Sequence, residues 1–317
     1  MNIKSSLAIL PKKINYLQRR SQEKLSHAVE DLSRSISYNS DTQPIVNQIE
    51  LRVMGLRRSG NHAIINWIAK QIEGQAVFIN HVRPLENPFR NQYESQFKYG
   101  QDLLRRDWKF RDVSWWKQEK EGKFSCKNGL IYSYEDQELE KIAHPSFERK
   151  HDMYLGKSAV RFDVIVMRDP YNLIASRLQA KPRSFSMLEV YSQRYSLPKL
   201  WISYAKECLR ETNQLKHNKL FINYNKWFQN LKYRQEIANQ LNLTFSDDGL
   251  NDISESGRGS SFDGEIYTGK ASKMDVMNRW KSYTDNSLYR NLLQTDDLQA
   301  YSAKLFGHIP GTEIFSK

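Results

Sequence analysis

The chain has 317 residues, 39% hydrophobic and 12% aromatic, which excludes a disordered polymer and suits one large α/β domain or two small ones. A formal net charge of +12 points to a polyanionic partner: a nucleotide, an acidic polymer, nucleic acid or an acidic membrane surface. Cys126 and Cys208 make neither a metal-ligand cluster nor a disulfide framework, and no apolar run approaches the roughly 18 residues of a membrane span, so a cytoplasmic, reducing compartment is expected.

Residues 1–44 read as a basic, Ser/Gln-rich arm, with Lys12, Lys13, Arg19 and Arg20 close together. Leu17, Leu25, Val29 and Leu32 give it a weak helical period, and Ser37 to Pro44 reads as a linker. A solvated, partly helical arm is expected, with peripheral membrane contact or partner binding as its other uses.

From residue 45 a single α/β domain is expected. Strand candidates are Ile49–Met54, Ala76–Asn80, Leu130–Ser133, Phe162–Met167 and Leu220–Asn223. Helix candidates between them are Asn61–Ile72, Glu135–Ile142, Pro170–Ala180, Leu188–Leu215 and Lys226–Leu241. This alternation predicts a mostly parallel central sheet flanked by helices, with ligands at the carboxyl ends of the strands. Residues 84–128 interrupt it with a charged, aromatic insertion (Tyr93, Phe97, Tyr99, Trp108, Trp115, Trp116), which is either an acceptor-side groove or a local satellite core. Ser246 to Ser272 reads as a long Gly/Ser/Asp-rich loop.

The first chemical signal is Gly55-Leu56-Arg57-Arg58-Ser59-Gly60-Asn61-His62, between a strand and a helix. Its two glycines have the spacing of a phosphate-binding P-loop, in which backbone N–H groups and a helix start hold an anion. Asn61 and His62 replace the lysine and the magnesium-binding hydroxyl that a nucleoside triphosphate needs. The loop is thus built for an anion and not for Mg-ATP.

The second signal follows the strand ending at Met167. Arg168 stands at the strand tip, Asp169 is a helix N-cap, Pro170 fits the first helical position, and Ser176 lies about two turns on. Arg168 and Ser176 can converge on one phosphate, while Arg177 points elsewhere on a straight helix.

Together these segments resemble the sulfotransferases that use 3′-phosphoadenosine 5′-phosphosulfate (PAPS). Gly55 to His62 resembles their phosphosulfate loop, with Arg58 at the position of the family's lysine. Arg168 and Ser176 match their arginine-to-serine spacing at the 3′-phosphate. Ser256-Gly257-Arg258-Gly259-Ser260-Ser261 resembles, more loosely, their late basic loop near the same phosphate. The resemblance spans residues 48–285 or so. It implies PAPS as co-substrate with no metal, and contacts from Arg57, Arg58, Ser59, Gly60, Asn61, His62, Arg168, Ser176, Arg258 and Gly259.

Sulfuryl transfer has a loose transition state, so positioning and charge stabilisation are the protein's work. Arg58 is expected to steady the leaving oxygen by charge, since a guanidinium does not readily give up a proton. His81, in Phe78-Ile79-Asn80-His81 at the end of the second strand, is the expected base, with Glu86 in reserve. Glu135 and Asp136 read as helix caps and Trp280 as core. The acceptor is expected to be a small molecule or glycan, which the aromatic insertion and Lys181-Pro182-Arg183-Ser184-Phe185 would suit. Two other readings are a P-loop kinase or NTPase, and a non-enzymatic polyanion-binding protein. No specific nucleic-acid motif is present.

Overall fold

The computed structural model describes residues 21–95, 113–180, 188–253, 259–295 and 297–315. The chain divides into two units, Met1–Pro44 and Ile45–Lys317. In the first, residues 21–37 form a helix, and a 3-10 turn follows at Ser40–Thr42 with Asn39 accepting from the Asp41 N–H. Lys12, Lys13, Leu17, Arg19 and Arg20 of the arm lie outside the described residues.

The second unit is built on five parallel strands: β1 (Ile45–Gly55), β2 (Ala76–Ile79), β3 (Lys127–Glu135), β4 (Lys157–Met167) and β5 (Asn218–Asn223). Their order across the sheet is β2-β3-β1-β4-β5. The chain winds one way from β1 through β2 and β3, then the other way to β4 and β5. This topology reverses at β1 and opens a crevice at that strand's carboxyl end, where α/β sheets bind ligands.

The helices used below are α1 (Asn61–Gln71), α2 (Pro88–Tyr93), α3 (Val113–Lys120), α4 (Pro170–Gln179), α5 (Leu197–Cys208), α6 (Tyr224–Gln229) and α7 (Leu231–Gln240). All five expected strands form, but three expected helices are shorter. The helix expected over 188–215 is only α5, because Pro198 suits a first turn and Arg210 adopts a positive φ of 62°. The helix expected over 226–241 breaks at Asn230, whose side chain accepts from the Tyr233 N–H and starts α7. Of the helix expected over 135–142 only Leu139–Ile142 forms, and Asp136 has a left-handed φ of 56°.

The two faces of β1 differ. Ile49, Leu51 and Val53 pack with Ile64, Ile65, Trp67 and Ile68 of α1, Trp227 of α6 and Ile237 of α7. Each fully buried aliphatic side chain there contributes about 1.5–3 kcal/mol. On the other face Glu50 and Arg52 are equally buried. Glu50 accepts from Tyr132 Oη (2.8 Å) and Ser158 Oγ, and meets His151 Nε2 at 2.7 Å and Arg161 Nε at 3.3 Å. Arg52 donates to Asp163 Oδ1 (2.7 Å) and Glu148 Oε1 (2.5 Å). Charge is tolerated there because every member has an opposite partner.

The described part of the 84–128 insertion is a satellite core. Phe89 of α2, Trp115 and Trp116 of α3, and Phe124 pack against one another. The buried Lys127 ammonium lies 5.5, 5.9 and 5.7 Å from the Phe89, Trp115 and Phe124 rings. Glu119 Oε2 (2.8 Å) and the Ser125 carbonyl (2.7 Å) complete its shell. Tyr93 of α2 lies under Lys120, with its ring centroid 5.2 Å from the ammonium. Phe97, Tyr99 and Trp108 lie outside the described residues. Among the described residues no helix is long and apolar enough to cross a membrane.

Candidate anion-binding site

The loop after β1 is set by close packing. A Cβ at Gly55 would collide with the Asn61 side chain, and one at Gly60 would collide with the Tyr224 ring. Gly60 also has φ 90° and stands at the N-cap of α1 with no side-chain cap, which leaves that helix start to other acceptors. Arg58 is itself left-handed at φ 73°. Asn61 Nδ2 ties the loop down through the Leu56 carbonyl (3.2 Å) and Glu135 Oε1 (3.1 Å). His62 packs edge-on against Phe78, with Nε2 3.8 Å from Glu135 Oε1. Ser59 is wholly buried, and its Oγ has no hydrogen-bond partner among the described residues.

The two loop arginines diverge. Arg57, expected on the anion, is held by Asp136, to which both its backbone N–H (2.9 Å) and its Nε donate. Its Nη2 reaches the Glu189 carbonyl (2.5 Å), and its guanidinium covers the Tyr191 ring. Arg177 joins the same carboxylate, donating from Nη1 to Asp136 Oδ1 at 2.7 Å. Asp136 is therefore a buried hub for two arginines and not the helix cap expected of it. Arg58 instead points across to the late loop, where Nη1 donates to the Gly259 carbonyl (3.4 Å).

Arg168 and Ser176 come together as expected. Asp169 caps α4 by accepting from the Asn172 N–H (2.8 Å), and Trp201 Nε1 donates to the Arg168 carbonyl (2.9 Å), which fixes the strand tip. Arg168 Nη1 donates to Ser176 Oγ (3.1 Å) and to the Arg58 carbonyl (3.3 Å), and Nη2 donates to the Val276 carbonyl. Its guanidinium lies 5.2 Å from the Tyr224 ring centroid.

Arg279 joins this pair. It stands beside Trp280, which is buried as expected. Its Nη1 donates to the same Ser176 Oγ (3.3 Å), and Nη2 donates to Ser260 Oγ (2.6 Å) and Asp263 Oδ2 (3.2 Å). The available signal was its place in Asn278-Arg279-Trp280-Lys281, just after the Gly/Ser-rich loop.

Burial, deepened by the nearby Arg279 and Arg58, pulls the Arg168 guanidinium down to about 10, so it remains a cation at neutral pH. Arg168 Nε and Arg279 Nε are buried without hydrogen-bond partners among the described residues. Two buried guanidinium groups facing one hydroxyl, with spare donors, suit a multi-oxygen anion.

His81 is exposed at the carboxyl end of β2 with φ 57°. Its N–H reaches Ser133 Oγ (3.4 Å), and its Nε2 faces the Tyr191 hydroxyl at 3.4 Å. Tyr191 in turn donates its backbone N–H to the Asp136 carbonyl (3.0 Å), so His81 lies at the same carboxyl end of the sheet as the loop. Glu86 is engaged locally, accepting from Asn91 Nδ2 (2.6 Å) and pairing with Arg83. Ser256, Gly257 and Arg258 lie outside the described residues, as does Lys181 to Phe185.

No family model matches the chain, and no curated protein matches it. Among solved structures, it is similar to mouse sulfotransferase SULT7A1 complexed with PAP, at 13% identity and a TM-score of 0.42, over 84% of this chain and 91% of that one. It is also similar to the sulfotransferase domain from the curacin biosynthetic pathway, at 12% identity and a TM-score of 0.40, over 84% of this chain and all of that one.

Proposed function

We propose that the chain is a sulfotransferase that moves a sulfuryl group from PAPS to a hydroxyl of a small molecule or glycan. The observation that carries this reading is the convergence of Arg168 and Arg279 on Ser176 Oγ beside a glycine-bounded loop. Two separate anion subsites, one in the crevice wall and one at a helix start, fit a nucleotide with separated 3′-phosphate and 5′-phosphosulfate groups. The unpartnered Arg168 Nε, Arg279 Nε and Ser59 Oγ fit it too, since each is a buried donor that an anion would satisfy.

When bound, PAPS supplies the sulfuryl group and the 5′-phosphate that leaves. Arg168, Ser176 and Arg279 grip the 3′-phosphate and hold the nucleotide in register. The N–H groups at the start of α1 and the Arg58 guanidinium stabilise the charge that grows on the leaving oxygen. Arg57 acts indirectly: clamped by Asp136, it holds the loop's shape. His81 accepts the acceptor's proton on its imidazole, a step worth roughly 10²–10⁴-fold.

Isothermal titration calorimetry with 3′-phosphoadenosine 5′-phosphate tests the reading. We expect metal-independent binding, weakened about 100-fold by Arg168→Ala, as loss of charge-assisted hydrogen bonds implies. Absence of binding to the wild-type chain, or equal binding by the variant, would sink it. Transfer of label from PAPS across a panel of sugars, phenols and lipids then identifies the acceptor class.

A further inference from the structure

We infer that the helix over residues 21–37 pairs with the same helix of a second copy of this chain, in parallel and in register. This does not depend on the sulfotransferase reading. Leu25, Val29, Leu32 and Ile36 are 68%, 61%, 63% and 81% exposed. They are the large apolar side chains of this helix, and their spacings of four, three and four residues put them in one stripe. In heptad lettering Val29 and Ile36 occupy a, and Leu25 and Leu32 occupy d. β-branched residues at a with leucine at d is the combination that favours a two-stranded parallel pair.

Gln22 occupies the first a position, and the other positions agree with this register. The flanking e positions are Ser26 and Ser33, and the flanking g positions are Ala28 and Ser35. All four are small and uncharged, so two copies meet without like-charge repulsion. Every charged or titratable side chain of the helix falls away from the stripe: Glu23 and Glu30 at b, Lys24 and Asp31 at c, His27 and Arg34 at f, with Asp31 buried. Glu30 and Arg34 have the i,i+4 order that supports a helix.

A lipid surface fits less well. Within 21–37 three carboxylates face two basic side chains, and the apolar stripe carries no aromatic residue. Helices that lie on membranes are rich in lysine and arginine on the polar face and use tryptophan or phenylalanine on the other. The stripe is also shorter than a permanent interface of about 800 Å² per partner would need, so the pair forms and separates with concentration.

The test uses the full chain with its exposed Cys126 replaced (Cys126→Ser). Sedimentation velocity over a wide concentration range is expected to show a monomer–dimer equilibrium, with Val29→Asp raising the dissociation constant at least tenfold. Under mild oxidation Leu25→Cys and Ile36→Cys should each give a disulfide-linked dimer, while Glu30→Cys at an outer position should not. A chain that stays monomeric throughout, or one that cross-links equally through Glu30→Cys, overturns the proposal. So does a monomer that sediments with phosphatidylserine-containing vesicles and loses that through Val29→Asp, which would assign the stripe to lipid.

Discussion

Two groups of arginines stand on the same sheet, and their company differs. Arg52 and Arg161, midway along β1 and β4, each face carboxylates: Asp163 and Glu148 for the first, Glu50 and Glu148 for the second. Arg168, at the carboxyl end of β4, bonds to a hydroxyl and two backbone carbonyls. Burial and neighbouring cations lower its affinity for a proton, whereas burial of Arg52 is outweighed by Tyr132 and Asp163 and its pKa rises. Compensated charge holds strands together. Arg168, without a carboxylate bonded to it at the crevice, is the group proposed above to receive an anion.

The sharpest way to break this contrast is to remove a carboxylate from the compensated group. Glu50→Ala would leave the buried His151 with Asp152 alone and the part-buried Arg161 with Glu148 alone, and is expected to cost about 3 kcal/mol in urea unfolding. Nucleotide affinity of the folded fraction should not change. An unaltered unfolding midpoint would show that the network is not what holds this face.

Acid gives a related test. Burial raises the Glu50 carboxyl, but His151 and Arg161, with hydrogen bonds from His151 and Ser158, outweigh it and bring it from 4.5 to about 2. A carboxyl depressed in the folded state adds stability above its ordinary value and loses it as pH falls through the folded one, here between about 4.5 and 2. The loss is of order 3 kcal/mol. His151 is lowered by burial but raised overall by Glu50 and Asp152, so its contribution is complete below 6.5 and disappears at higher pH. Thermal melts should therefore be highest between about pH 4.5 and 6.5 as far as this pair decides. Glu50→Gln should flatten the acid limb.

At the other cluster, Arg279→Ala is expected to weaken 3′-phosphoadenosine 5′-phosphate binding by roughly 10–100-fold, the worth of one or two charge-assisted hydrogen bonds. Its melting temperature should change little, because removing a like charge beside Arg168 offsets the lost bonds to Asp263 and Ser260. A fall in stability matching that of the Glu50 variant would erase the distinction between the clusters. The smallest effect belongs to an exposed pair: Arg194→Ala, which breaks its bond to Glu140, should move stability by no more than about 0.5 kcal/mol.

What could be read in advance follows from sequence separation. Gly55, Gly60, Arg168 and Ser176 announce themselves because each pair is local, with spacing set by a turn or by two turns of helix. Arg279 joins Ser176 from 103 residues away, and Asp136 holds Arg57 from 79 residues away. No periodicity carries such contacts, so Asp136 passed for a helix cap. The β1 pattern is ambiguous in another way. Alternation of Glu50 and Arg52 with Leu51 and Val53 is also that of a strand with one wet face, whereas Glu148 and His151, after β3, meet these charges in the interior.

One contact in the site reaches further than its length. Arg168 Nη1 bridges Ser176 and the carbonyl of Arg58, and Tyr224 fills the space between Gly60 and the Arg168 guanidinium. The two proposed anion subsites are thus jaws of one caliper. For a PAPS donor, transfer changes only the group in the loop jaw, and the 3′-phosphate jaw keeps its full grip on the spent nucleotide. Departure of that nucleotide would then be the slow event of each turnover. A pre-steady-state burst of sulfated product, abolished when Arg168 or Arg279 is loosened, would be its signature.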